Sequence, residues 1–137
     1  KEVWKLASEM WRAKTGEDLK PTVGQIMACG ATKKNDPGTT RLYRILVSES
    51  AHLIWRLRND RVINEKDPAT ATEIKNRWLK VMNNRVAIDC ALTNSMKWEK
   101  KSIKMSIVKT TWKRVLKDEH LLSKDWPRVS GVLVGVG

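Results

Sequence analysis

Two cysteines and two histidines are all the soft metal ligands that the 137 residues offer. A structural zinc site takes four ligands, and His52 and His120 stand at no recognised ligand spacing from Cys29 and Cys90, which excludes zinc. A single disulfide stays open on paper, but without a secretory signal two buried thiols fit better. No apolar run approaches the ~18 residues of a membrane-spanning helix. Neither Gly-x-x-x-x-Gly-Lys nor Gly-x-Gly-x-x-Gly occurs, so nucleotide hydrolysis has no phosphate-cradling loop to rest on. Phenylalanine is missing and tyrosine occurs once. Acidic residues are scarce: 15 Asp+Glu face 27 Lys+Arg, a difference of +12.

The length suits one domain, 1–137, or a piece of something larger. Lys at position 1 in place of Met leads us to expect a piece. The apolar share of 41% is enough for a core, which argues against general disorder. The seven tryptophans can pack a core, stack on bases or partner arginine. Helical spacing makes core the reading for most of them.

Along the chain the periodicity is helical throughout, and the expected class is all-α. Val3, Leu6, Ala7, Met10 and Trp11 recur at three- and four-residue spacing, predicting a helix over 2–14 that Thr15-Gly16 ends. A short helix is expected over 22–29, supported by Pro21 and stopped by Gly30. Residues 32–39, with Lys33 and Lys34, read as a polar surface loop. From 40 to about 64 neither Pro nor Gly interrupts, and Leu42, Ile45, Leu46, Leu53, Ile54 and Leu57 form a stripe. That is one helix of about 24 residues, or ~36 Å. Thr70 and Glu73 have the capping-box form. A second long helix should follow to about 94, with Ile74, Trp78, Val81, Ile88 and Leu92 in one seam that Arg85 interrupts. Leu79, Met82 and Val86 widen it. The short turn between the two predicts an antiparallel helical hairpin, with about three further helices around it. The last helix is expected over 102–118. The tail 131–137 is apolar and Gly-rich, free either to dock as an extended segment or to fray.

Charge placement carries the strongest chemical signal. Lys97, Lys100, Lys101, Lys104, Lys109, Lys113, Arg114 and Lys117 crowd one stretch, opposed only by Glu99. Lys109, Lys113 and Lys117 are four apart on the expected helix and so share a face, where like charges repel by a few tenths of a kcal/mol. Such a face is either merely solvated or built to meet an anion: phosphate, an acidic protein or an anionic membrane surface. A second group is Arg56, Arg58 and Arg61 beside Trp55, with Arg41 and Arg44 further up the same helix. Arginine's planar fork suits phosphate or guanine. Equally, Arg41 and Arg44 can pair internally with Glu49, Glu73 or Asp89.

Catalytic groupings are weak. Ser48, Glu49, Ser50 and His52 on one helix cannot converge as a triad. Glu49 and His52, three apart, read better as a hydrogen-bonded structural pair. Glu49, Glu73 and Asp89 could gather a metal between helices, but the second Glu-x-x-His spacing of di-metal bundles is absent. No catalytic residue, cofactor or metal is assigned.

Three segments carry a family likeness. They are Lys14-Thr-Gly near Trp11 followed by Gly24-Gln-Ile-Met-Ala-Cys-Gly30; Arg41-Leu-Tyr-Arg-Ile-Leu-Val-Ser-Glu-Ser-Ala-His-Leu-Ile-Trp-Arg-Leu-Arg58; and Lys117-Asp-Glu with Trp126 and the closing Gly131-Val-Leu-Val-Gly-Val-Gly137. Together they resemble the C-terminal region of polyproteins of fungal LINE-type (non-LTR) retrotransposons. In that family the region lies downstream of the reverse transcriptase and ribonuclease H-like portions, after a Cys/His segment. The resemblance spans nearly the whole chain and is most specific in its middle block.

It implies an accessory module that holds template RNA or target DNA, inside the cell, in nucleus and cytoplasm. It supplies no catalytic residue. The expected function is non-catalytic nucleic-acid binding through the Lys97–Lys117 cluster, with Arg56, Arg58 and Arg61 as a second patch. The alternatives are an assembly module docking on its own polyprotein or a second copy, and, last, a metal-dependent nuclease.

Overall fold

The helices begin and end where local chemistry places the caps. The computed structural model describes residues 2–19, 36–129 and 131–135. α1 spans Glu2–Thr15, and Gly16 closes it at φ +79 with its N–H on the Arg12 carbonyl at 2.7 Å. α2 spans Pro37–Val62, 26 residues. Asp36 caps it, accepting from the Thr39 N–H at 2.9 Å and the Thr39 hydroxyl at 2.6 Å, while Pro37 pre-sets the first turn. The end of the expected 32–39 loop is therefore helix. The expected helix over 22–29, Cys29, Gly30, Lys33 and Lys34 lie outside the described residues. α3 spans Ala71–Leu92, and Thr70 accepts from the Glu73 N–H at 3.1 Å as the capping pattern foretold, with the Glu73 side chain left exposed.

Beyond α3 the chain departs from expectation. A one-turn α4 (Ser95–Trp98) and a 3₁₀ turn (Glu99–Lys101) precede α5, which spans only Met105–Trp112. The helix expected over 102–118 stops at Trp112 because Lys113 turns extended and Arg114 takes φ +76. Two things hold the break. The Glu119 carboxylate accepts from the Arg114 N–H at 2.7 Å and the Leu116 N–H at 3.4 Å. The tail then docks alongside as an extended segment: Lys117 N–H reaches the Leu133 carbonyl at 2.8 Å, Gly135 N–H the Val115 carbonyl at 2.9 Å, and Leu116 bridges Val134 antiparallel. Val115 and Leu116 are buried, but from extended chain rather than from a helix face.

The described residues form an all-α fold around one core. All five stripe residues of α1 are buried. So are Leu42, Ile45, Leu46 and Leu53 of α2, with Tyr43 edge-on to Trp11 at 5.5 Å. Trp11, Trp78, Trp112 and Trp126 are core, whereas Trp55 is 59% exposed. α2 packs chiefly on α5 and α1 and meets α3 more sparsely, so the expected hairpin is not the dominant packing unit. Gly38 permits a close approach to α5: a Cβ there would lie 2.3 Å from Cγ2 of Thr110. Polar bridges join α2 and α3 in antiparallel order: Asp60 to Arg77 at 3.0 Å, Glu49 to Arg85 at 3.2 Å, Arg41 to Asp89 at 2.5 Å. Arg85, which interrupted the apolar seam, is thus an ion-pair member.

The buried line of α3 is Trp78, Met82, Val86 and Asp89: Trp78 belongs to the expected seam and Met82 and Val86 to its widening, while Val81 is half-buried and Ile88, expected inward, is 53% exposed. Asp89 sets this rotation. It is 1% exposed and accepts from both Arg41 Nη atoms, at 2.5 and 2.7 Å, and from Trp112 Nε1 at 2.8 Å. Thr111 Oγ1 accepts from Arg41 Nη1 at 3.2 Å. One carboxylate therefore fastens α2, α3 and α5. Removing one member of a buried pair strands the other, at about 3–5 kcal/mol. We expect Asp89→Ala to lose that much in urea unfolding. The double variant Arg41→Met/Asp89→Leu should recover most of the loss, short of the orphaned Trp112 N–H. Wild-type stability in Asp89→Ala alone would overturn this reading.

Candidate nucleic-acid interface

The antiparallel order of α2 and α3 brings the start of α2 and the end of α3 to one end of the domain. α5 lies at the same end, since Gly38 and Arg41 touch Thr110 and Thr111. The Ile103 N–H closes the intervening segment onto the Leu92 carbonyl at 2.8 Å. The chain from 97 to 117 therefore wraps this end and carries its cations there. Lys97, Lys100, Lys101, Lys104, Lys113, Arg114 and Lys117 are exposed, and Lys109 is half-buried. Among the described residues none of the eight is in an ion pair. Lys109, Lys113 and Lys117 do not share a helix face, because the helix ends before Lys113. The cluster is a wrap of helix, turn and extended chain, not a stripe.

Arg56, Arg58 and Arg61 are exposed too, but about 30 Å away if measured along α2 from Gly38. They do not join the lysine cluster. Their surroundings are mixed in sign, with Asp60, Glu65, Asp67 and Glu73 close in sequence. Arg41 is committed to Asp89, as the internal-pairing alternative held.

The catalytic groupings dissolve into structural ones. Glu49 turns to Arg85, and His52 stacks on Trp55 with ring centroids 5.8 Å apart and planes 22° apart, so the expected Glu49–His52 pair does not form. Asp89 is sealed by Arg41 and Trp112. Among the described residues no three of His, Cys, Asp and Glu gather as a metal site. Cys90 is a free, half-buried thiol, pushed up to about 11 by burial and by the neighbouring Asp89 charge. No described helix is long and apolar enough to cross a membrane.

A groove of about 890 Å³, which sequence reasoning missed, opens beside the lysine end. Its walls are the last turns of α3, α4, and residues 127–129 and 131–133. Trp98 is half-buried on its wall, with Lys97 Nζ 5.5 Å from its ring centroid. Glu99, at φ +47, turns the chain sharply just after it. Only the pairing of an aromatic with lysines at 97–101 signalled this place in the sequence.

No family model matches the chain, and no curated protein or solved structure is significantly similar to it.

Lys14 adds a titrating member to the basic end. Its Nζ donates to the Thr110 carbonyl and, at 3.1 Å, to that of Lys113, closing the end of α5. Burial pushes its pKa from the ordinary 10.5 down to about 8; Asp36 and Glu119 pull it back up, while Lys113 and Arg114 depress it further. The unfolded chain then binds the extra proton between about 8 and 10.5, so this group's contribution to stability rises with pH across that window. The stability difference between wild type and Lys14→Met should therefore shift in favour of wild type as pH is raised from 8 to 10. The Cys90 contribution, of opposite sign, cancels between the two. A difference flat in pH would contradict the assignment.

Proposed function

We propose that this domain binds nucleic acid without catalysis, gripping phosphates with the lysine-rich end. The observation that carries the reading is the wrap of eight cations from 97 to 117, opposed in sequence only by Glu99 and free of ion pairs among the described residues. Arg77 and Arg85, which join α2 to α3, are each balanced by a carboxylate, whereas among the described residues the cations of the wrap are not. Leaving this end unbalanced costs self-repulsion, which a polyanion relieves while releasing its counterions. The sequence resemblance to retrotransposon polyproteins supports the same reading. It makes the domain an accessory that holds RNA or DNA, inside the cell, beside a polymerase. Arg56, Arg58 and Arg61 are a second contact for a ligand long enough to reach the far end.

Assembly is the second reading, favoured by one observation. Trp55, Val62 and Ile63 are 59%, 67% and 71% exposed at the far end of α2. An apolar group of this kind suits another domain of the same polyprotein or a second copy. Concentration-dependent sedimentation that Ile63→Lys abolishes would support it; a strict monomer would count against self-association.

Phosphate binding makes a quantitative demand. Neutralising about five phosphates gives a slope near −4.5 for log affinity against log salt on duplex DNA, or ~500-fold for a fourfold salt increase. Lys100→Glu/Lys101→Glu/Lys104→Glu should lower affinity by orders of magnitude in anisotropy titrations and leave helical circular dichroism unchanged. Unaltered binding by that variant would sink the assignment.

A further inference from the structure

The groove beside the lysine end has a composition that phosphate binding alone does not explain. Among the described residues no carboxylate lines it, while Lys97 and Arg128 do. Three asparagines, Asn83, Asn84 and Asn94, stand on its α3 and α4 walls. Asn83 spends its oxygen on the Val134 N–H at 2.8 Å, and Asn94 spends its oxygen on the Lys97 N–H at 3.2 Å. Among the described residues their NH₂ groups, and the whole Asn84 amide, have no hydrogen-bond partner. Trp98 completes the wall with an indole, and Lys100 and Lys101 follow at once on the exposed turn.

We propose that this groove receives an unpaired nucleobase, so that the domain prefers single-stranded over duplex nucleic acid. This rests on the phosphate-binding reading and deepens it. The indole offers a stacking face, which every base can use. Side-chain amides match the donor and acceptor edges of bases. Lys97 and Arg128 in the lining, with Lys100 and Lys101 exposed on the turn that follows Trp98, are the cations that would meet the flanking phosphates of an inserted nucleotide. The volume is within the range of small-ligand sites and exceeds one base. A duplex keeps its bases stacked and paired, so it can reach the exposed lysines but not the groove. An acidic peptide would satisfy the same cations and meet the amides through its backbone, yet its carboxylate side chains give the indole no flat face to stack on, and for that reason the base is the occupant the lining favours.

The test compares three labelled ligands of equal length at low salt: a single strand, an abasic strand with the same phosphates, and a duplex. Wild type should bind the single strand roughly tenfold or more tighter than the abasic one, a factor typical of one stacked base. Trp98→Ala should erase that margin and leave abasic affinity and salt slope unchanged, while Trp98→Phe keeps most of it. Ala87→Leu, at an exposed lining position, narrows the groove while keeping the indole and should reduce the same margin should Trp98→Ala unfold. Equal wild-type affinity for single and abasic strands overturns the groove inference and leaves phosphate binding standing. Equal weakening of all three ligands by Trp98→Ala also overturns it, as the mark of lost structure. No binding of any ligand by wild type removes the phosphate reading itself, and this inference with it.

Discussion

A buried carboxylate organises this fold. Asp89 is the point where α2, α3 and α5 meet, and its two oxygens are filled by the fork of Arg41 and the indole N–H of Trp112. Three donors from two other helices make a buried charge tolerable, since an unpaired one would carry several kcal/mol of desolvation. The geometry they demand is narrow. It fixes the rotation of α3, draws the start of α2 onto the short α5, and turns Ile88 outward where periodicity had placed it inward. Gly38 serves the same junction by letting the first turn of α2 lie against the backbone of Thr110.

How far the sequence could foretell this differs by element. α1 and the first half of α2 were legible because their apolar stripes are continuous, and Gly16 and the Thr70 cap of α3 gave ordinary end signals, whereas the Asp36-Pro37 start of α2 was hidden inside a stretch that read as a polar loop. The α3 seam was legible at Trp78, Met82 and Val86 and wrong at Ile88, whose place the buried Asp89 takes. A pattern of apolar residues cannot reveal that an aspartate belongs to the buried face; that depends on donors 48 and 23 residues away. The early stop of α5 was equally hidden. Neither Gly nor Pro stands at 113 or 114, and the break is held by Glu119 and by a tail that pairs from far along the chain. Of the candidate site, the cluster of cations was legible by counting. Its shape was not, because a shared helix face requires the helix to continue.

The two kinds of cation divide the labour. Arg41, Arg77 and Arg85 face α2–α3 partners and hold the bundle together. Guanidinium suits this, being planar and capable of two parallel hydrogen bonds. The basic end is built almost wholly of lysine, with Arg114 the exception. Lysine keeps its hydration and its rotamer freedom at a surface, and grips phosphate as a mobile point charge rather than as a fork. The charge that ties α2 to α3 is thus arginine, and the charge of the 97–117 wrap, unpaired among the described residues, is almost wholly lysine.

The extended tail joins these two themes. Val134 is buried against Leu116 and takes the Asn83 oxygen with its N–H, so α3 and the chain after α5 are fastened at the mouth of the groove. The same contact orients the Asn83 amide, leaving its NH₂ group as the side that remains to donate. Lys117, Val115 and Gly135 are linked through the adjoining backbone bonds, which hold the extended stretch that replaces a helix here. Were α5 to run on through 118, Lys113 and Lys117 would sit in one row and the tail would have no edge to pair with. Ending the helix early thus spreads the lysines around the end of the domain, and it is the same break that provides the backbone edge closing one wall of the groove.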